Sequence, residues 1–187
     1  APLFRDMADA VAGASAAAGQ TSGTLRINTL GMAARQVIAP RLGQFHRAHP
    51  DVVLDIVVDD GLSDIVAGRF DAGIRVGGRL QKDMVAVRLT PDIELLAVAS
   101  PAYLETHGTP TLPSDLASHN CLGFTFNQPS MEWGFVDGDG QSFSIPVTGN
   151  TRVSDGHGVR SLAILGRGLA RVGFCQVEQD LAAGQLL

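Results

Sequence analysis

From Thr24 onward, the spacing of apolar positions switches between strand-like runs and helical faces. Leu25–Asn28 is a short apolar run and predicts a strand. Ala34–His49 places Val37, Ile38, Leu42 and Phe45 on one helical face, with Arg35, Arg41 and Arg47 elsewhere. Pro40 sits awkwardly inside that helix and predicts irregular or kinked first turns. His49-Pro50 ends it, because a residue before proline avoids helical geometry. Val52–Val58 is nearly all β-branched and predicts a buried strand; Leu62–Arg69 follows as a short helix and Asp71–Val76 as another strand. This alternation predicts a parallel sheet covered on both faces. Val85–Leu89 and Ile93–Ala99 read as two further strands of the same first lobe.

The second half is looser. Pro101–His107 and Ser114–His119 read as short helices, and Cys121–Phe126 and Trp133–Val136 as strands. Asp137-Gly138-Asp139-Gly140 is a turn signal that returns the chain into Ser142–Pro146 as a hairpin. Val147–Val153 reads as a strand, then His157–Leu165 as a helix capped by Ser154 or Asp155. Leu169–Phe174 is a strand, and Val177–Ala183 a helix stopped by Gly184. Ahead of all this, Ala1–Gly23 is alanine-rich. Phe4, Met7, Val11 and Ala14 form a two-heptad seam there, which fits either the tail of a longer coiled coil or a disordered leader.

Composition narrows the function. The 187 residues are 45% hydrophobic and 18% charged, ordinary for a globular chain able to bury a core. No apolar run is long enough to span a membrane, and Ala1–Leu3 lacks the pattern of a signal peptide. The net charge is −5 and Lys82 is the only lysine, so this stretch has no basic patch suited to DNA by itself. Cys121 and Cys175 are far apart in sequence and read as two buried thiols in a reducing cytosol rather than a disulfide.

Catalytic and metal signatures are missing from the pattern. No Gly-x-Ser-x-Gly elbow occurs, and adjacent triad residue types in Ser154–His157 do not create triad geometry. The five histidines have no ligand spacing, and the cysteines are not paired as Cys-x-x-Cys. Gly166-Arg167-Gly168 follows a helix, so it reads as a cap and turn rather than a dinucleotide fingerprint. No metal and no cofactor are implied.

Features that suit binding remain. Two predicted helices begin after strands, near Met32–Ala34 and near Asp155–His157, where free amides suit an anionic group or are simply capped. Trp133 and Phe126 are either a cleft wall or core. Arg171 interrupts an apolar strand, where a guanidinium must be paired, reach solvent or face a cavity that a carboxylate fills. Arg75 poses the same question. These features describe an α/β chain in which a binding reading and a structural reading of each residue both remain open.

Five segments in register add a family resemblance: Gly23-Thr24-Leu25-Arg26-Ile27, Phe70-Asp71-Ala72-Gly73-Ile74-Arg75-Val76-Gly77, Ala99-Ser100-Pro101-Ala102-Tyr103-Leu104, Leu116-Ala117-Ser118-His119-Asn120-Cys121-Leu122 and Asp180-Leu181-Ala182-Ala183-Gly184. Together they resemble the effector-binding domain of a LysR-type transcriptional regulator across Thr24–Leu187. The resemblance implies a type II periplasmic-binding-protein fold, with two Rossmann-like lobes around an inducer cleft. Residues 1–23 would end a linker helix, 24–98 form lobe I and 99–187 form lobe II, with a return segment to lobe I lying beyond Leu187.

It also implies DNA contact through an N-terminal winged helix-turn-helix outside this stretch. A homodimer built on the Ala34–His49 helix, or a higher homo-oligomer, and a cytoplasmic location follow from the same likeness. Carried over by position, the cleft takes Leu30, Gly31, Met32 and Ala33 with Gly77, then Ser100, Phe126, Asp155 and Gly156. Trp133, Arg171 and Phe174 are counted with them as ligand contacts. Met32 stands where relatives often carry a serine, which removes a hydroxyl for a carboxylate. Arg171 and Gly173 stand where relatives carry an apolar residue and proline, and Arg171 facing the cleft would restore the anion contact. Two other expectations share the fold: an exported solute-binding protein, and an enzyme using Cys175.

Overall fold

A computed structural model describes residues 22–61, 64–77, 84–124 and 131–187. The seam at Phe4–Ala14, the start of the Leu62–Arg69 segment and Phe126 lie outside the described residues. The chain forms two compact units, Ala1–Pro91 and Asp92–Leu187.

The first unit is built on a parallel sheet in the order β2-β1-β3. Its strands are β1 (Gly23–Thr29), β2 (Val52–Val58) and β3 (Ala72–Ile74). β1 is central, so its side chains are buried more completely than those of β2. Leu25, Ile27, Ile38, Phe45 and Val52 make the core, and Leu42, Leu54, Ile56 and Ile74 pack on it. The expected helix after β1 is continuous but irregular around Pro40. An α-turn at Gly31–Ala33 widens into a π-turn at Ala34–Ile38 and tightens to 3-10 at Ala39–Arg41, before α1 (Leu42–Ala48). A proline has no N–H to give the preceding turn, and a change of winding absorbs the loss. On the other side of β1, Arg26 pairs with Asp55 at 2.8 Å and lies over the Phe70 ring.

Two sequence expectations fail in this half. The described part of Leu62–Arg69 is turn, not helix. Asp64 accepts from the amides of Val66 and Ala67, and Arg69 takes φ 52°, so the chain reverses after one turn. Val85–Leu89 forms no strand, and Val85 is 94% exposed. β-Branched composition makes a strand only where a partner edge is available.

The second unit holds β4 (Leu95–Val98), α2 (Pro101–His107), β5 (Gly123–Phe124), β6 (Glu132–Val136), β7 (Ser142–Pro146), β8 (Arg152–Val153), α3 (Gly156–Ile164), β9 (Ala170–Gly173) and α4 (Phe174–Ala182). Ser114–His119 is realised as a 3-10 turn at Pro113–Ser118, and Val147–Val153 contributes only the two residues of β8. β4 pairs antiparallel with β9, Leu95 opposite Gly173 and Ala97 opposite Arg171. The strand read as part of the first lobe therefore builds the second unit, and the division between units falls after Pro91. The Asp137–Gly140 turn closes β6 on β7 in the register Trp133 to Ile145 and Gly134 to Ser144.

Two cores serve this unit. α3 and α4 cover one with Val159, Ala163 and Val177 against Val98, Ala170, Val172 and Leu186. The other gathers Ala99, Tyr103, Leu116, Cys121, Trp133, Val147 and Leu169. Tyr103 joins two of the family-like segments, because its hydroxyl accepts from the Asn120 amide at 3.0 Å.

Candidate functional site

In the first unit, the candidate residues sit where β1 gives way to helix. Leu30 is extended, and Gly31 and Ala33 are buried behind a half-buried Met32. The helix start is already engaged: the Gly31 amide donates to Asp60 Oδ1 at 2.7 Å. A carboxylate from the chain itself thus holds an amide that the sequence offered to a ligand anion. Beside it Asn28, fully buried, accepts from Arg75 through its Oδ1. Burial lowers the Arg75 pKa, and Asp59 opposes that shift. Asn28 Nδ2 is buried without a hydrogen-bond partner among the described residues. Gly77 has φ 91° and open space around its Cα, a conformation that suits glycine.

In the second unit the candidates separate into three settings. Ser100 is buried and caps α2 by accepting from the Tyr103 amide. Trp133 is 5% exposed within the second core, which is the packing alternative for this ring. Asp155 caps α3 through the Gly158 amide at 2.8 Å. The starts of α3 and α4 are close, because a Cβ on Gly156 would lie 2.9 Å from Gln176 Nε2, and Gln176 Oε1 accepts from the Gly173 amide. Phe174, the first residue of α4, is 40% exposed.

Arg171 occupies the third setting. Its neighbours Ala170 and Val172 enter the core under α3 and α4, so strand alternation sends Arg171 to the opposite face of β9. There it lines a groove of about 410 Å³ with Gly134, Phe135, Val136, Ser142, Phe143 and Ser144 of the β6–β7 hairpin. Burial lowers its pKa, and a guanidinium stays charged regardless. No ion pair or hydrogen bond engages it among the described residues.

The hairpin residues of this groove, Asp60 and Gln176 were not singled out from the sequence. The hairpin was within reach, since the Asp-Gly turn fixes a register in which Gly134 faces Ser144. Asp60 was not, because nothing local links it to Gly31. The described residues hold no group of three or more histidine, cysteine or acidic side chains able to bind a metal, and no helix among them is long and apolar enough to cross a membrane.

A parallel α/β unit followed by a mixed α/β unit is the make-up of a two-lobed, periplasmic-binding-protein-like domain, and the comparisons agree. The LysR substrate binding domain family matches residues 18–187. HTH-type transcriptional regulator PgrR of Escherichia coli (strain K12) is 32% identical over 188 residues, covering 100% of this chain and 62% of that protein. The regulatory domain of CrgA, a LysR-type transcriptional regulator from Neisseria meningitidis, superposes with a TM-score of 0.73 at 29% identity, over 89% of this chain and 80% of that one. A longer CrgA structure gives a TM-score of 0.78 at 28% identity, over 99% of this chain and 62% of that one. The chain belongs to the LysR substrate binding domain family. It spans 54–62% of the length of the first curated relatives it matches.

Proposed function

We propose that this chain is the effector-sensing part of a DNA-binding transcriptional regulator, and that it holds a small molecule between its two lobes without transforming it. The observation that carries this reading is the family match over residues 18–187 together with relatives named as HTH-type transcriptional regulators. DNA contact belongs to an N-terminal winged helix-turn-helix of the longer protein, in keeping with the net charge of −5 here. A homodimer carries the response, and the protein acts in the cytoplasm. An effector with different affinity for two lobe arrangements shifts their populations and so re-spaces the DNA-binding heads.

We assign the effector contacts to Leu30–Ala33 and Gly77 with Ser100, Phe126, Asp155, Gly156, Arg171 and Phe174, and leave Trp133 to the second core. Asp60 on the Gly31 amide supports assigning the effector's anionic end to Arg171 rather than to the first-unit helix start. A thermal-shift screen of small organic acids tests the reading. A ligand at about 100 times its Kd stabilises the protein by about 2.7 kcal/mol, a plain rise in Tm. The hit should change DNA binding by the longer regulator, and Arg171→Ala should weaken an anionic hit in calorimetry by about 1.5–3 kcal/mol. Turnover of the hit, or a hit that leaves DNA binding untouched, rejects the assignment.

A further inference from the structure

We propose that Arg75 is a positioning residue that ties the ends of β1 and β3 together and so sets the two first-unit effector segments, Leu30–Ala33 and Gly77, as one rigid piece. This role rests on the reading of those segments as effector contacts, and it draws on residues of the first unit alone.

The topology of the sheet creates the need for such a tie. In a parallel α/β sheet, ligands bind outside the carboxyl ends of the strands, where the chain leaves the backbone ladder. β1 and β3 pair from Ile27 opposite Ala72 to Thr29 opposite Ile74, and at the carboxyl end the ladder stops there. Leu30 is the next residue after Thr29, and Gly77 lies just past Arg75 and Val76. Backbone pairing between these strands therefore ends before either segment begins. Gly77, with φ 91° and open space where a Cβ would stand, has no packing there to hold it.

Arg75 supplies the connection. Its Nη1 donates to the Asn28 carbonyl at 3.2 Å and to the Ile74 carbonyl at 3.1 Å, and its Nη2 donates to Asn28 Oδ1. One planar group thus grips the backbone of both strands and a side chain of the central one. The third strand joins the same knot. Asp59, the residue after β2, donates its amide to the Thr29 carbonyl at 2.9 Å, and its charge favours the nearby guanidinium. Arg75 is therefore committed to the scaffold rather than offered to an effector anion.

Asn28 shows that the tie governs its surroundings. The side chain is fully buried, and its orientation is fixed because a guanidinium has only donors and needs the Oδ1. Nδ2 is then left buried without a hydrogen-bond partner among the described residues. An orphan donor is unfavourable, and here it accompanies the acceptor that Arg75 requires.

The experiment is amide relaxation by NMR on the 187-residue chain. Arg75→Met keeps the apolar stem and removes the donors. It should lower the order parameters of Leu30–Ala33 and Gly77 together, from about 0.85 toward 0.6, while Leu25 and Ile27 within β1 stay rigid. Asn28→Asp keeps an acceptor for the guanidinium and should hold both segments at wild-type order. Asn28→Leu removes the acceptor and the orphan donor at once, and should loosen Gly77 although that residue leaves a different strand. Unchanged order at both segments in Arg75→Met overturns this role, as does loosening of only one of them. Loosening that spreads equally through Leu25, Ile27 and Val52 marks general support of the sheet and overturns it too. Should Arg75→Met fail to fold, unchanged order at Gly77 in Asn28→Leu overturns it alone. None of these outcomes touches the effector-sensing reading, which fails instead when a screened hit leaves DNA binding by the longer regulator unaltered.

Discussion

Cys121 has no exposed surface, and burial pushes its thiol up to about 11. Cys175, the second residue of α4, is only half-buried, so the expectation of two buried thiols holds for one of them. Burial raises the Cys175 pKa as well. At pH 8 a thiol reagent should label Cys175 slowly and Cys121 only after denaturation, as mass spectrometry of the labelled peptides reads directly. Asp115 gives the residue scale a pH dependence. The backbone amide of Leu112, then that of Thr111, each at 2.8 Å, hold its carboxyl below the ordinary range. A depressed folded pKa means that its stabilisation is present above the unfolded value and is lost as pH falls through the folded one. Asp115→Asn should therefore flatten part of the acid limb of a Tm-versus-pH curve and leave the neutral region parallel to wild type.

At the scale of elements, α3 and α4 are joined by a charge pair inside a core. Arg160 grips both carboxylate oxygens of Asp180, which is 3% exposed at the family-like Asp180–Gly184 segment. That segment is therefore structural: its carboxylate locks two helices. Arg160→Leu strands a buried charge and should cost about 3 kcal/mol in urea unfolding, the lower end for a broken pair because Arg160 keeps some solvent. A much smaller loss would mean that Asp180 finds water. The hairpin shows the opposite economy, since its turn needs little beyond local chemistry. Asp137 Oδ1 accepts from the amides of Asp139 and Gln141, and Gly140 takes φ 79°. Such elements are legible in sequence because their hydrogen bonds close within a few residues. Leu62–Arg69 and Val85–Leu89 misled for the converse reason: their composition suited an element whose partners lay elsewhere or were missing.

Over the whole molecule, two units with separate cores should respond separately to damage. Phe45→Ala removes a ring that is 5% exposed in the first core and should cost about 3–5 kcal/mol there. Amide hydrogen exchange should rise through β1 and β2 while β9 and α4 keep their protection. Loss of protection in both sets together would show a single cooperative unit. The family, the parallel first sheet and the hairpin were legible before any coordinates, because strand periodicity, helix faces and turn residues act over short stretches. Five separated segments then carried the resemblance. The candidate site was only half legible. Arg171 stood out as a charge in an apolar strand, whereas its groove is made by residues some thirty positions away.

The chain by itself determined most of its strands and helices, because these depend on side-chain spacing and backbone preferences that neighbours in sequence supply; Leu62–Arg69 and Val85–Leu89 were the exceptions. Tertiary structure decided three things that no local pattern contains. It gave β4 to the second unit by pairing it with β9. It set Asp60 on the Gly31 amide, across 29 residues. It left Arg171 without a partner among the described residues, beside Gly134 and Ser144 of the hairpin. Pairing, neutralisation and solvent exclusion depend on what comes near in space, and long-range contacts alone bring these groups together.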